Sequence, residues 1–477
     1  MTILSYILLF ISSLLVSACY YIKAVLIEVN LYELVYYFTN DKSGPGNGTV
    51  IFAAILNCLW LFLLIVIFIV LTLLIVKKYR PMIFDKFLFV FAIVMFIISL
   101  FLIVRVSRTD SYIYNKAKKT DVYDKYYVDT NKVNVSFPKK KRNLVLLYLE
   151  SMESSLFSKE NGGVFDKSRI PELENIALEN INFSNTDKLG GASNTTLSSF
   201  TMASLVASSS ATPIDINLFR GYSDKRKILP NVKTLGDVLY DNNYNLKIIQ
   251  GTEIEFAGTD LYYKYHGNYD IVDYNNMAEK GYIEKGYLKW WGVEDKRLYD
   301  VAKKEILELS SSDKPFAVTM FTMDTHFPNG YLDETCDIKY DDQLSNVYSC
   351  ASKMANEFIK WLKAQDFYQD TTIVILGDHL TMQNSYYKDY KSYDRTIYNA
   401  FINSKLNTNN NKNREFNNFD FYPTILASIG AKIENDKLGF GTNLFSDKAT
   451  LSEQLGKDVF ERELLKNSKY YEKSILK

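Results

Sequence analysis

The sequence predicts an α/β protein, a mostly parallel sheet flanked by helices, preceded by an N-terminal transmembrane helical anchor. Three observations lead there. Apolar residues crowd into three long runs before residue 105. After residue 142, short β-rich runs alternate with helical stretches. Those short runs are apolar throughout rather than at alternate positions, as in strands buried on both faces. At 477 residues the chain is too long for one ordinary compact domain. Its 55 Lys and Arg balance 55 Asp and Glu, so no basic field marks a nucleic-acid partner, and none is expected.

The anchor comes first. Ile3 to Ile22, Val50 to Val76 and Phe87 to Val104 are each long enough to cross a hydrocarbon core of roughly 30 Å. The second run carries no charge along its whole length. No Lys or Arg precedes the first run, so it lacks the positive start of a signal peptide and reads as a retained helix. The basic loop "KKYRPMIFDK" between the second and third runs should stay in the cytoplasm, which sends the bulk of the chain outside. The expectation is a multi-pass protein of a bacterial cytoplasmic membrane with an extracytoplasmic domain.

Cysteine usage fits that compartment. Cys19 and Cys58 fall in the apolar runs, whereas Cys336 and Cys350 lie close together in the polar part, where a bridge is expected. Closing so short a loop stabilises by about 3 kcal/mol on the entropic model.

Residues 109–142 read as a polar stalk. Beyond it, "NLVLLYLE", "YNLKIIQG", "PFAVTMFTMDTHF", "TTIVILGDHL" and "YNAFINS" read as strands. Helical patterns such as "VEDKRLYDVAKKEILELSS" and "NVYSCASKMANEFIKWLKAQD" separate them. Residues 451–477 form a charged tail.

In open α/β sheets ligands collect at the carboxyl ends of the strands. Those ends offer Glu150 and Glu153, then Asp324 and His326, then Asp378 and His379. The chain has three histidines, and the third is His266 in "YKYHGNYD". Two carboxylates and an imidazole, Glu150, Asp378 and His379, suit a divalent ion and leave a position for substrate. Such an ion neutralises phosphate charge and lowers the pKa of a nearby hydroxyl. For a nucleophile, "GGASNTTLSSFTMASLVASSSATP" leads with glycines and hydroxyl residues into a small-residue helix. A hydroxyl at that helix start would face free N–H groups and the positive dipole end. Composition does not choose among Thr195, Thr196 and Ser198.

Together these pieces resemble the alkaline-phosphatase/sulfatase superfamily. More narrowly, "LYLESMESS", "FTMASLVASSSATP", "QGTEIEFAGTDLYYKYHG", "MDTHFPNG", "YSCAS", "GDHLTMQN" and "FYPTILASIGAKIENDKLGFGTNLFS" are similar in number and order to membrane-anchored phosphoglycerol transferases. The likeness is to enzymes of the lipoteichoic acid synthase and periplasmic glucan type. The resemblance implies an alkaline-phosphatase-like fold for a catalytic domain over 143–450, with residues 1–108 as the anchor. It implies Glu150, Asp378, His379 and the nucleophile hydroxyl as metal ligands, and His326 on the phosphate or the leaving group; the oxygen-rich donors suit manganese, with zinc or magnesium as the other ions, and His266 is a further substrate-binding candidate. Keeping "FTMASLVAS" and Pro213 in register puts Ser198 at the nucleophile position, while running forward from "NFSN" gives Thr195. The implied reaction moves phosphoglycerol from a membrane phospholipid to a surface or periplasmic glycan through a covalent Ser/Thr intermediate. Two other readings stand beside it: a phosphoethanolamine transferase acting on lipid A or a glycan, and a catalytically silent membrane receptor with the same fold. A sulfatase would need a Cys/Ser-x-Pro-x-Arg signature, which this segment lacks.

Overall fold

The computed structural model describes residues 2–25, 31–32, 47–214, 227–390 and 392–477, and it divides into two compact units. The first holds α1 (Thr2–Val25), α2 (Asn47–Tyr79) and α3 (Phe84–Val106), all three long and apolar enough to cross a membrane. Leu9, Ile69, Leu73, Leu88 and Ala92 pack between them. Phe68 and Phe101, by contrast, are 68% and 64% exposed, which is the surface expected of helices whose solvent is lipid. Ser12, Ser13 and Ser17 return their hydroxyls to carbonyls one turn earlier, so α1 carries these polar groups without leaving them unpaired.

The second unit is built on a six-stranded sheet. In chain order its strands are β1 (Asn143–Leu149), β2 (Asn245–Gln250), β3 (Asp270–Val272), β4 (Phe316–Phe321), β5 (Thr371–Gly377) and β6 (Asn399–Ile402). Their spatial order is β3-β2-β4-β1-β5-β6, all parallel except the β5–β6 edge. β1 and β5 lie at the centre, flanked on both sides, and nearly every residue in them is buried. Four helices matter below: α4 (Thr201–Ser210), α5 (Asp295–Ser310), α6 (Gln343–Lys363) and α7 (Phe421–Ser428). A disulfide joins Cys336 to Cys350 on α6, with Cα atoms 5.7 Å apart.

The polar flanks of this unit pack on it. Val135 and Ser136 pair with Ile433 and Lys432, and Tyr123 is buried against Phe440 and Tyr471. Phe460, on the helix Lys457–Leu464, lies against Phe419 and Phe440. A few aromatic side chains spaced among charged residues carry that packing, and charge content alone conceals it.

Candidate active site

Strand register builds the site. Leu149 of β1 stands opposite Gly377 of β5, so the next residues, Glu150 and Asp378, leave the sheet side by side. Gly377 must be glycine, because a Cβ there would lie 1.9 Å from the carbonyl of Met152. Glu150, Asp378 and His379 each bring a ligand atom within 4.8 Å of the others, and all three are buried. His379 Nε2 lies 3.6 Å from Glu150 Oε1 and 3.4 Å from Asp378 Oδ2.

The donors are fixed by their neighbours. Ser151, held at φ 51°, donates its N–H to Asp378 Oδ1 (2.7 Å) and its hydroxyl to Glu150 Oε1 (2.7 Å). A serine in the left-handed region is strained, and here the strain aims two donors at the two carboxylates. His379 N–H also donates to Asp378 Oδ1 (2.7 Å). Its Nδ1 lies 3.0 Å from the Leu380 carbonyl, a bond that keeps the proton on Nδ1 and turns the Nε2 lone pair toward the carboxylates.

This set fits a divalent cation. Asp378 Oδ2 is buried without a hydrogen-bond partner among the described residues, as a carboxylate oxygen reserved for an ion would be. Burial, and then the nearby Glu150 charge, push the Asp378 carboxyl up to about 7. An ion held by Glu150, Asp378 and His379 would supply the missing positive charge.

The hydroxyl beside this trio is Thr201. Its Oγ1 lies 3.3 Å from His379 Nε2. The register of α4 puts it there: Ser204 donates to the Asp378 carbonyl, Asn418 Nδ2 donates to Ser204 Oγ (2.7 Å), and Ser208 meets Tyr148 OH (2.7 Å). Thr201, Ser204 and Ser208 share one helix face at i, i+3 and i+7. Thr201 is also the first residue of α4, where the first-turn N–H groups have no intrahelical partner.

The three hydroxyls proposed from the sequence are engaged elsewhere. Ser198 belongs to the short 3₁₀ turn before α4, and its Oγ forms a capping box with Thr195 (2.9 Å to Oγ1, 3.1 Å from N–H). Thr196 N–H and hydroxyl both bond Glu461 from the C-terminal segment. The helix itself begins at Thr201, three residues after Ser198. The hydroxyl stripe Thr201–Ser204–Ser208 was the signal that marks the face turned toward Asp378 and Tyr148.

His326 stands at the end of β4 with Nδ1 2.6 Å from the Phe327 carbonyl and its ring 4.6 Å from that of Trp291. Burial of the ring lowers His326 to about 4, against the opposing bond to the Phe327 carbonyl, so it is neutral at ordinary pH. His266 lies outside this constellation. Both its ring nitrogens are bonded within the protein, Nδ1 to Asp237 (2.8 Å) and Nε2 to the Ile228 carbonyl (2.7 Å), so the structure gives it no substrate-facing atom. Glu153, the other carboxylate at the end of β1, is taken up by Arg395 and by the Thr381 N–H.

A doubly flanked parallel sheet with a buried acid–histidine cluster at its carboxyl edge is the architecture of the alkaline-phosphatase class. Residues 142–431 match the sulfatase family model, and the chain belongs to that family. Phosphoglycerol transferase I of Escherichia coli is 30% identical over 332 residues, covering 68% of this chain and 41% of that protein. The chain thus spans less than half the length of the curated relatives it matches. Among solved structures, lipoteichoic acid synthase LtaP from Listeria monocytogenes aligns with a TM-score of 0.52 at 17% identity, over 72% of this chain and 94% of that one. An alkaline phosphatase superfamily protein from Vibrio parahaemolyticus gives 0.51 at 21% identity, over 68% and 76%. Both likenesses concern the fold.

Proposed function

We propose that the chain is a metal-dependent phosphotransferase that moves a phosphoglycerol group from a membrane phospholipid, phosphatidylglycerol, to a cell-surface or periplasmic glycan. The observation that carries this reading is the Thr201 hydroxyl 3.3 Å from His379 Nε2, inside the Glu150–Asp378–His379 cluster. The similarity to phosphoglycerol transferase I supports the choice of group. The three apolar helices suit a lipid donor, since anchoring to the bilayer raises the local concentration of head groups. In this reading α1, α2 and α3 each span the membrane and the sheet domain lies outside it. Residues 109–142 and 451–477 flank a catalytic domain over 143–450.

Glu150, Asp378 and His379 would hold the ion, manganese by its match to oxygen-rich donors. When bound, the ion supplies positive charge for the phosphoryl oxygens and acidifies a neighbouring hydroxyl. Thr201 Oγ attacks phosphorus; that P–O bond forms as the bond to the diacylglycerol oxygen breaks. His326, carrying its proton on Nδ1, presents an unprotonated Nε2. That atom takes the Thr201 proton and returns it to the departing diacylglycerol oxygen. The α4 N-terminus holds the phosphoryl oxygens of the phosphoglyceryl-threonine. In the second half-reaction an acceptor hydroxyl attacks phosphorus, the Thr201–phosphorus bond breaks, and the acceptor proton passes by way of His326 back to Thr201.

The decisive experiment is intact-mass analysis after incubation with phosphatidylglycerol and Mn²⁺. A phosphoglyceryl adduct should form on the unsubstituted chain and on Ser198→Ala, and be missing from Thr201→Ala. An adduct on Thr201→Ala, or one formed from phosphatidylethanolamine alone, would reject this assignment.

A further inference from the structure

The turn Asn418–Asp420, which leads into α7, is held from several sides. Asn417 Oδ1 accepts from the Phe419 N–H (3.0 Å), and Asp420 Oδ2 accepts from the Asn417 N–H (3.0 Å). Asp420 Oδ1 accepts from the Thr442 N–H (2.8 Å), and Asn417 Nδ2 donates to Ser452 Oγ (3.1 Å). From this frame the side chain of Asn418, fully buried, reaches toward the catalytic cluster. We infer, resting on the transferase reading, that Asn418 is a positioning residue. It sets the Thr201 hydroxyl against His379 without touching the reacting atoms.

Three pieces of the chain meet on this one amide. Asn418 Nδ2 donates to Ser204 Oγ on α4 (2.7 Å) and to the Asp378 carbonyl at the end of β5 (3.4 Å). Its Oδ1 lies 3.4 Å from Ser198 Oγ, in the turn before α4. Ser204 Oγ itself donates to the same Asp378 carbonyl. A hydroxyl has one proton, so Ser204 can only accept from Asn418, and the chain runs one way, from amide to hydroxyl to carbonyl. Two N–H donors facing two acceptors, with an oxygen facing a hydroxyl, is what an Asn supplies. An ionised Asp would set another acceptor against the Asp378 carbonyl.

The carbonyl they share belongs to the peptide between Asp378 and His379, two of the residues that would hold the ion. The N–H of that peptide is spent on Asp378 Oδ1 (2.7 Å), so the peptide is held at both its polar atoms. Thr201 precedes Ser204 by three residues on the same helix face, and its Oγ1 is 3.3 Å from His379 Nε2. Ser204 already has a partner for its proton in the Asp378 carbonyl, so the Asn418 bond is not needed to keep a buried hydroxyl paired. What it adds is a further fixed point, which stops α4 from sliding across the end of β5. Satisfied buried networks of this kind rigidify and specify one arrangement. The arrangement matters, because a misplacement of about 1 Å at a reacting group can cost roughly a hundredfold in rate.

The test uses the full chain in phospholipid nanodiscs with Mn²⁺ and labelled phosphatidylglycerol. Asn418→Ala and Ser204→Ala should each slow formation of the phosphoglyceryl adduct at least about tenfold, with half-saturating phosphatidylglycerol and bound Mn²⁺ unchanged. Both side chains act in one relay, so the double variant should be no slower than the slower single variant. Unchanged rates, effects that multiply in the double variant, or slowing that comes with lost Mn²⁺ or weaker lipid binding would overturn the inference. Should Asn418→Ala not fold, Asn418→Asp, which keeps the shape and loses both N–H donors, takes its place. The chain has three histidines, so selective ¹⁵N-histidine labelling adds a readout that needs no turnover. In metal-free protein the His379 ring signal, assigned with His379→Gln, should shift in both variants in the direction that Thr201→Ala shifts it, while His266 stays in place. An unmoved His379 signal refutes the positioning role. If the unsubstituted chain forms no adduct, the transferase reading falls and this spectrum alone decides the role of Asn418.

Discussion

Two pairs of buried carboxylates stand at the carboxyl edge of the sheet, and they have been finished differently. Glu150 and Asp378 follow the central strands β1 and β5, and face an imidazole and a hydroxyl. Asp324 follows β4 and meets Asp295, the first residue of α5. There, backbone amides do the holding: Asp295 Oδ1 accepts from Met323 and Asp324, and Asp324 Oδ2 accepts from Asp295. Burial drives both carboxyls of the second pair upward, Asp295 to about 7. Carboxylates at the same edge thus form an acid–histidine cluster in one place and a loop clamp in the other. What separates them is the neighbouring donor set, not the depth of burial.

The largest effect expected tests the hydroxyl side of that contrast. Thr201→Ala should lower transfer by roughly a thousandfold or more, as loss of a covalent nucleophile does, while Ser198→Ala should stay within about tenfold of the parent. A steady-state assay with labelled phosphatidylglycerol reads both. If Ser198→Ala were the deeper loss, the capping role given to Ser198 would be wrong.

Next comes the metal. Asp378→Asn should abolish stoichiometric Mn²⁺ by elemental analysis and lower activity by at least about a hundredfold. Asp324→Asn should retain the ion. Equal metal loss in both variants would erase the distinction between the pairs.

Proton competition follows from the Asp378 carboxyl. Its pKa is raised to about 7 without the ion, so below that value a proton must leave before the ion can bind. Mn²⁺ affinity, measured by calorimetry in metal-free protein, should therefore fall as pH drops through 7 and level off above it. A flat profile from pH 6 to 8 would remove Asp378 from the ligand set.

How much of this was legible beforehand varied with the physics involved. Continuous apolar runs gave five of the six strands, because a strand buried on both faces needs apolar residues at every position. The three-residue β3, Asp270–Val272, sits at the edge and has no such run to betray it. Glu150, Asp378 and His379 could be read because parallel register converts "end of strand" into "neighbours in space". That Thr201, and not Ser198 or Thr195, opens α4 beside His379 was not legible, for want of a helix boundary. Which hydroxyl begins α4 depends on Ser204 and Ser208 seating against Asp378 and Tyr148, contacts that join residues more than 50 positions apart. His266 looked like the other histidines until both nitrogens proved bonded, which no local pattern announces.

The smallest effect concerns the clamp. Asp295 carries a folded-state pKa near 7, against roughly 3.9 unfolded. Between those values the folded chain binds more protons than the unfolded one, so this group's contribution to stability is largest at low pH and fades as pH rises toward 7. Asp295→Asn keeps an oxygen for the Met323 and Asp324 amides and sets an NH₂ where Asp295 Oδ2 has no partner among the described residues. The variant should lose part of the decline in Tm between pH 5 and 7 while keeping most of its activity and all of its metal. Should the variant instead shed the ion, Asp295 would belong with Glu150 and Asp378, and the two pairs would be a single extended site.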